Sequence, residues 1–141
     1  VIGASLDLSA IYAKLDGMAK GAKAGVRPAA QAGAQVYQTE VRARVPVSAK
    51  AHKSGKKTYD PGTLRRAVYQ AYADDESSDE RATYRISWNK SHAFYGKFLE
   101  FGTSKMAAQP FLRPGYDSAR SRAISAVQHV LQAEAMKGLR S

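Results

Sequence analysis

The stretch 98–116, FLEFGTSKMAAQPFLRPGY, decides how the chain is read. It holds four aromatic residues, the run Gly102, Thr103, Ser104, and two prolines four positions apart. Pro110 cannot sit inside a helix or a central strand, because it lacks the N–H that either would use. The segment is therefore predicted to be a hinge in three parts. Phe98 and Phe101 end a short helix over 93–101 in the core, with Phe94, Phe98 and Phe101 on one face and Gly102 as a left-handed cap. Residues 102–104 turn the chain, and residues 106–109 run extended as a third strand, at a sheet edge because of Pro110. Phe111 and Leu112 then return to the core, and Pro114 opens the last helix, over 114–137. Glu100 and Arg113 flank the hinge, each placed to reach a neighbouring molecule.

Working outward, Tyr116, Ala119, Ala123, Val127, Val130 and Leu131 run down one side of that last helix. Upstream, ATYRISWN (82–89) alternates cleanly, with Tyr84, Ile86 and Trp88 on one face, as a half-buried strand does. Residues 68–73 fit a helix, since Leu64, Val68 and Tyr72 are four apart. They also fit a strand, which is preferred because residues 82–89 need a partner. The acidic DDESSDE (74–80) joins the two as a solvated tip. SAKAHKSGKKTYDPG (48–62) is polar, basic and aperiodic, and is predicted as a flexible loop, followed by a helical turn capped by Thr63. A helix over 28–45 precedes it. Pro28 suits its first position, Pro46 stops it, and its small residues admit another backbone closely. The first helix, 5–24, carries Leu8, Ile11, Tyr12, Leu15 and Met18 on a stripe. Ser5 or Asp7 caps it, and Gly17, Gly21 and Gly25 weaken it. The fold class that follows is α+β: a small, mainly antiparallel sheet over 67–110 packed against N-terminal helices and a long C-terminal helix. A chain of 141 residues fits a single domain of this kind.

The formal net charge is +10, unevenly placed. Residues 41–72 sum to +7, residues 73–80 to −5 and residues 81–141 to +7. Such a balance points to an anionic partner, or to copies pairing head to tail. The basic cluster Arg42, Arg44, Lys50, Lys53, Lys56, Lys57, Arg65, Arg66 surrounds the predicted loop. It suits phosphates read without sequence preference, or an acidic protein surface. The aromatics sit at core spacing, so single-strand stacking is not expected. Cysteine is absent, which removes disulfides and thiolate metal sites. No membrane span and no secretory signal is visible, so a soluble intracellular product is expected. His52, His92 and His129 are isolated, the acidic run lacks the glycine hinge of a calcium loop, and FGTS lacks the lysine of a phosphate loop. No enzyme, cofactor or metal is expected.

The run FYGKFLEFGTSKMAAQPFLRP (94–114) closely resembles the signature of a family of small neck or tail components of long-tailed double-stranded-DNA phages. It is the family named after gene product ten of a lambda-like siphophage. Tyr95, Glu100, Phe101, Gly102, Thr103, Lys105, Met106, Pro110, Phe111, Arg113 and Pro114 carry the match. Pro46-Val47 and Gly62-Thr63-Leu64-Arg65 extend it, so that it covers roughly 28–135. The basic loop 48–61 looks like an insertion, and Gly96 and Gly115 stand where alanine is commoner.

The resemblance implies a structural virion protein, assembled in the host cytoplasm, whose copies form a ring at the head–tail junction with DNA passing through. A hexamer is favoured and a dodecamer is the alternative. The partners implied are connector or stopper proteins, tail-terminator or tail-tube proteins, and double-stranded DNA. The expected subunit interface comprises Glu100, Thr103, Lys105, Met106, Gln109 and Arg113, with Asp74, Asp75 and Glu76 docking on a basic neighbour. Lys50, Lys53, Lys56, Lys57, Arg65 and Arg66 are expected at the DNA channel or an adjacent ring. The alternative reading is a basic, non-catalytic RNA- or DNA-binding module.

Overall fold

The computed structural model describes residues 7–140. Its elements are α1 (Ser9–Ala24), α2 (Val26–Arg44), β1 (His52–Ser54), β2 (Lys57–Tyr59), α3 (Thr63–Ala67), β3 (Val68–Tyr72), a 3-10 turn (Asp74–Glu76), β4 (Tyr84–Trp88), α4 (Gly96–Phe101) and α5 (Leu112–Arg140). The class is α+β, as expected, with the long C-terminal helix in place. The sheet is not one sheet but two antiparallel pairs, β1–β2 and β3–β4.

Only Gly25 separates α1 from α2, and its φ of −85° and ψ of −6° are helical. The two helices thus run on as nearly one rod, and α5 lies antiparallel along it. The seam is made of small residues at four-residue spacing, which keeps one face of a helix in line. Gly17 and Gly21 meet Gly138, Gly25 meets Glu134, Gly33 meets Val127, and Gly115 meets Val41. A β-carbon at Gly115 would lie 2.8 Å from Val41 Cγ2. Ala29, Ala34, Ala119 and Ala123 complete the buried strip. At Gly17 and Gly21 the contact is backbone to backbone, and at Gly25, Gly33 and Gly115 a side chain of the facing helix fills the space a β-carbon would take. Glu40 ties the same pair together at the surface, accepting from Arg122 Nη2 at 2.9 Å and Arg44 Nε at 2.8 Å. Those guanidiniums hold its carboxyl below the usual range.

The apolar core sits beyond the seam: Val41 of α2, Val45 just past its end, Leu64, Val68, Trp88, Ala93 and Phe111. The β3–β4 register pairs Val68 with Trp88 and Tyr72 with Tyr84, so the predicted inward faces point together. Gln38 joins α2 to this sheet by donating to Val68 O at 3.4 Å and accepting from Gln70 Nε2 at 2.8 Å.

Several expectations are overturned. Residues 48–62 contain the β1–β2 hairpin, with Gly55 at φ +61° in a two-residue turn. Polar strands give no apolar alternation, so periodicity could not show them. Residues 105–110 form no strand. Thr103 and Met106 exchange backbone hydrogen bonds across a tight turn, and Gln109 N reaches Leu99 O at 2.7 Å. The helix predicted over 93–101 begins at Gly96 and turns its phenylalanines outward, with Phe101 73% exposed. The last helix begins at Leu112, ahead of Pro114. Pro28 is the third residue of α2, still within the first turn, where no intrahelical donor is required of it. Ser5, a proposed cap, lies outside the described residues. Asp7 does accept from Ser9 N at 2.9 Å. Most unexpectedly, α1 turns its glycines toward α5 and its stripe outward, with Ile11 at 51%, Tyr12 at 60% and Leu15 at 53% exposure.

The seam makes a prediction opposite in sign to helix propensity. Replacing glycine inside a helix normally gains about 0.5–1 kcal/mol. Gly21→Leu should instead lose helical circular dichroism, because the side chain meets α5 backbone. The Trp88 fluorescence transition should move little, since α1 contributes no buried residue to the core. A gain in helicity would refute the seam.

Candidate subunit interface and basic hairpin

The geometry around residues 98–116 starts with one carboxylate. Glu100 is buried, at 9% exposure, on the inner face of α4. Its Oε2 accepts from Phe111 N at 2.8 Å and Leu112 N at 3.0 Å, and its Oε1 from Arg113 N at 3.1 Å. A helix start leaves its first amides without intrahelical acceptors and carries partial positive charge. Here all are accounted for: three donate to Glu100, Pro114 has no N–H, and Gly115 N closes the first helical bond to Phe111 O at 3.1 Å. Glu100, expected at a subunit interface, is thus committed inside its own chain. Helical periodicity hid this, because it assigned the inward face to the phenylalanines.

The rest of the expected interface is exposed. Residues 103–110 all face solvent, and Arg113 does so at the head of α5. Thr103 Oγ1 accepts from Lys105 N at 3.3 Å and tightens the turn. Gly102, at φ +75°, is required there, since a β-carbon would lie 2.8 Å from Ala108 N. The loop is therefore a stiff, protruding knuckle beside exposed Phe101. Gly96 also has its reason: a β-carbon would lie 2.6 Å from Trp88 Nε1.

The acidic tip is less available than its sequence implies. Arg85 Nη2 lies 3.2 Å from Asp75 Oδ2 and 2.8 Å from Glu76 Oε1, which raises the guanidinium pKa further. Lys23 Nζ lies 3.9 Å from Glu80. Asp74 alone of the three predicted contact residues in the tip has no such pair. Among the described residues no cluster of acidic and histidine side chains could hold a metal ion.

The predicted basic contact divides in two. Arg65 Nη2 donates to Val45 O at 3.1 Å, near the end of α2, and Arg66 Nη1 donates to Pro61 O at 3.3 Å. Both guanidiniums are engaged with local backbone. Lys50 precedes the hairpin, and Lys53, Lys56 and Lys57 lie on it. All four side chains are exposed, with no hydrogen bond or ion pair to any of the described residues. Aromatic contacts at its base hold the hairpin. His52 stacks on Tyr59 at 5.2 Å and meets Tyr95 edge-on at 4.8 Å, and Tyr59 meets Phe94 at 5.7 Å. Burial raises the Tyr95 phenol pKa. Sequence reasoning had treated His52 as isolated. The only available signal was a histidine and a tyrosine seven apart, on either side of the Gly55 turn.

The model of the HK97-gp10-like family, described as "Bacteriophage HK97-gp10, putative tail-component", matches residues 9–102. That is about two thirds of the chain, and the chain belongs to this family. The match starts earlier than the 28–135 span read from the motifs and ends before Lys105–Pro114. Comparison with curated proteins and with solved structures gives no match. The family is one of bacteriophage structural components, which places the chain with tail proteins of the virion and points to a non-enzymatic role.

The carboxylate clamp is testable by replacement. Charge-assisted hydrogen bonds contribute about 1.5–3 kcal/mol each, and unsatisfied buried amides lose more. Glu100→Ala should lower stability by roughly 3 kcal/mol, a Tm drop on the order of 10 °C. Glu100→Gln should fall nearly as far, because its amide donor would face amide N–H groups. A Tm within 2 °C of the parent for both would remove the clamp as the determinant of the α5 start.

Proposed function

We propose that this phage tail-component family member is a ring-forming structural subunit at the head–tail junction, through which the genome passes. Membership of the family carries the tail assignment. The observation that favours a place beside DNA is the β1–β2 hairpin, with unpaired lysines on a rigid aromatic base. Lys50, Lys53, Lys56 and Lys57 would face phosphates without reading bases, as backbone contacts do. The knuckle at 103–110, with Lys105, Met106 and Gln109, and Arg113 beside it would touch an adjacent subunit or ring. Six copies is the favoured number. The partners are the connector or stopper on the head side and the tail-terminator or tail-tube protein on the other.

The deciding experiment removes the protein from an otherwise normal infection. DNA-filled heads and unjoined or incomplete tails should accumulate, and the purified chain should restore joining. Intact, infectious particles made without it would end this reading. The hairpin is tested separately. With Lys53, Lys56 and Lys57 changed to Glu, duplex affinity should weaken, and the slope of log K against log salt should flatten by about 3. An isolated nucleic-acid-binding module would instead bind duplex tightly as a monomer and be absent from particles.

A further inference from the structure

Two unpartnered apolar surfaces lie at opposite ends of the same rod. The first is the stripe on α1. At 100° per residue, Ile11, Tyr12 and Leu15 lie roughly 120–160° around the helix from Gly17, which faces α5. The helix thus turns its large apolar side chains away from α5, the helix it mainly packs on. The second is a groove whose floor is α2, with β4 and α5 as its walls. One hollow, of about 260 Å³, is lined by Gly33, Tyr37, Tyr84, Ile86, Ile124 and Val127. It continues past the stacked Tyr37 and Tyr116 rings, 4.9 Å apart, into a second of about 450 Å³ over Val41, Trp88 and Phe101.

We propose that the apolar face of α1 in one copy seats in the α2–β4–α5 groove of a second copy, as a helix laid in a groove. The groove runs along α2 from Ala30 to Val41, roughly 17 Å at 1.5 Å per residue. The stripe from Leu8 to Met18 spans roughly 15 Å, so their lengths agree. The contact cannot form within one chain. Leu15 and Gly33 are eighteen residues apart on a nearly continuous helical rod, roughly 27 Å. One contact covers both bare surfaces. Because donor and acceptor differ, it repeats head to tail and closes into a ring where the rotation allows. This deepens the ring reading above by naming the surfaces that join.

Three half-exposed side chains and their neighbours supply about half of the ~800 Å² per partner that a stable pair buries. Free copies should therefore associate weakly, and covalent capture suits the test. The chain has no cysteine, so each introduced thiol reports one position. Leu15 and Ile124 are both exposed, so Leu15→Cys and Ile124→Cys should keep the parent circular dichroism and Tm. Under mild oxidation, mixing the two single variants should yield a mixed dimer, and the double variant a ladder. Each single variant alone should give no more dimer than a cysteine placed at exposed Ser121. In sedimentation of the cysteine-free chain, Leu15→Lys should abolish association at high concentration. A Leu15→Cys homodimer that forms faster than the mixed dimer would show stripe packing on stripe and overturn the proposal, as would no cross-link in any mixture. Rings found in particles without this cross-link remove the contact and leave the ring. A cross-link in a chain that never enters particles leaves the contact and removes the ring.

Discussion

The Glu100 carboxylate sets the residue at which α5 begins, and that choice determines what every later residue of α5 faces. A buried carboxylate without partners is strongly unfavourable. Here it meets three amides at the positive end of a helix, so its burial and the helix start satisfy each other. Starting α5 one residue earlier or later would rotate it by about 100°. Gly115, Ala119, Ala123 and Val127 would then leave α2, and long side chains would meet it instead. The motif around residues 98–116 is thus a phasing device. Its phenylalanines matter less than the acid between them.

The seam that results differs from an ordinary helical interface. Glycine and alanine bring the rod and α5 into backbone contact, which gains dispersion over a long line but buries little apolar area per residue. The large hydrophobic side chains are left to concentrate elsewhere. Some gather in the core between α2, β3–β4 and Phe111. Others, on α1 and at Phe101, remain in water. A chain built this way keeps its own fold with a small core and carries surplus apolar surface outward. That division suits a protein whose finished form is an assembly.

Much of this was legible from the residues. Alternation at Tyr84, Ile86 and Trp88 revealed β4, and the four-spaced stripe from Ala119 to Val127 revealed α5. The small residues of α2 were recognised as admitting a close backbone. What escaped had a common cause: periodicity reports apolar residues, and the deciding features are not apolar. Gly17 and Gly21 register only as weak helix formers until a second backbone is there to meet them. Glu100 reads as solvent-facing until the amides of Phe111, Leu112 and Arg113 arrive. The hairpin from His52 to Tyr59 has a single cross-strand pair, His52 and Tyr59, as its inward face, too short for periodicity to register. Arg65 looked like part of a charge field because its acceptor, Val45 O, lies twenty residues away in sequence.

The charges, finally, are not distributed as their sum suggests. Arg85 and Lys23 answer much of the acidic tip, and Arg65 and Arg66 are turned back on backbone. The lysines around the hairpin are left as the clearest uncompensated cluster. Their carrier is stiff, because His52, Tyr59 and Tyr95 clamp its base. A limp basic loop can wrap a phosphate chain and gather many contacts at once. A rigid finger with a few charges meets only a few phosphates at any moment, and each is readily exchanged for the next as salt competes. On the ring reading, that is the difference between a surface that grips DNA and one along which DNA slides, and a channel at a head–tail junction requires the second.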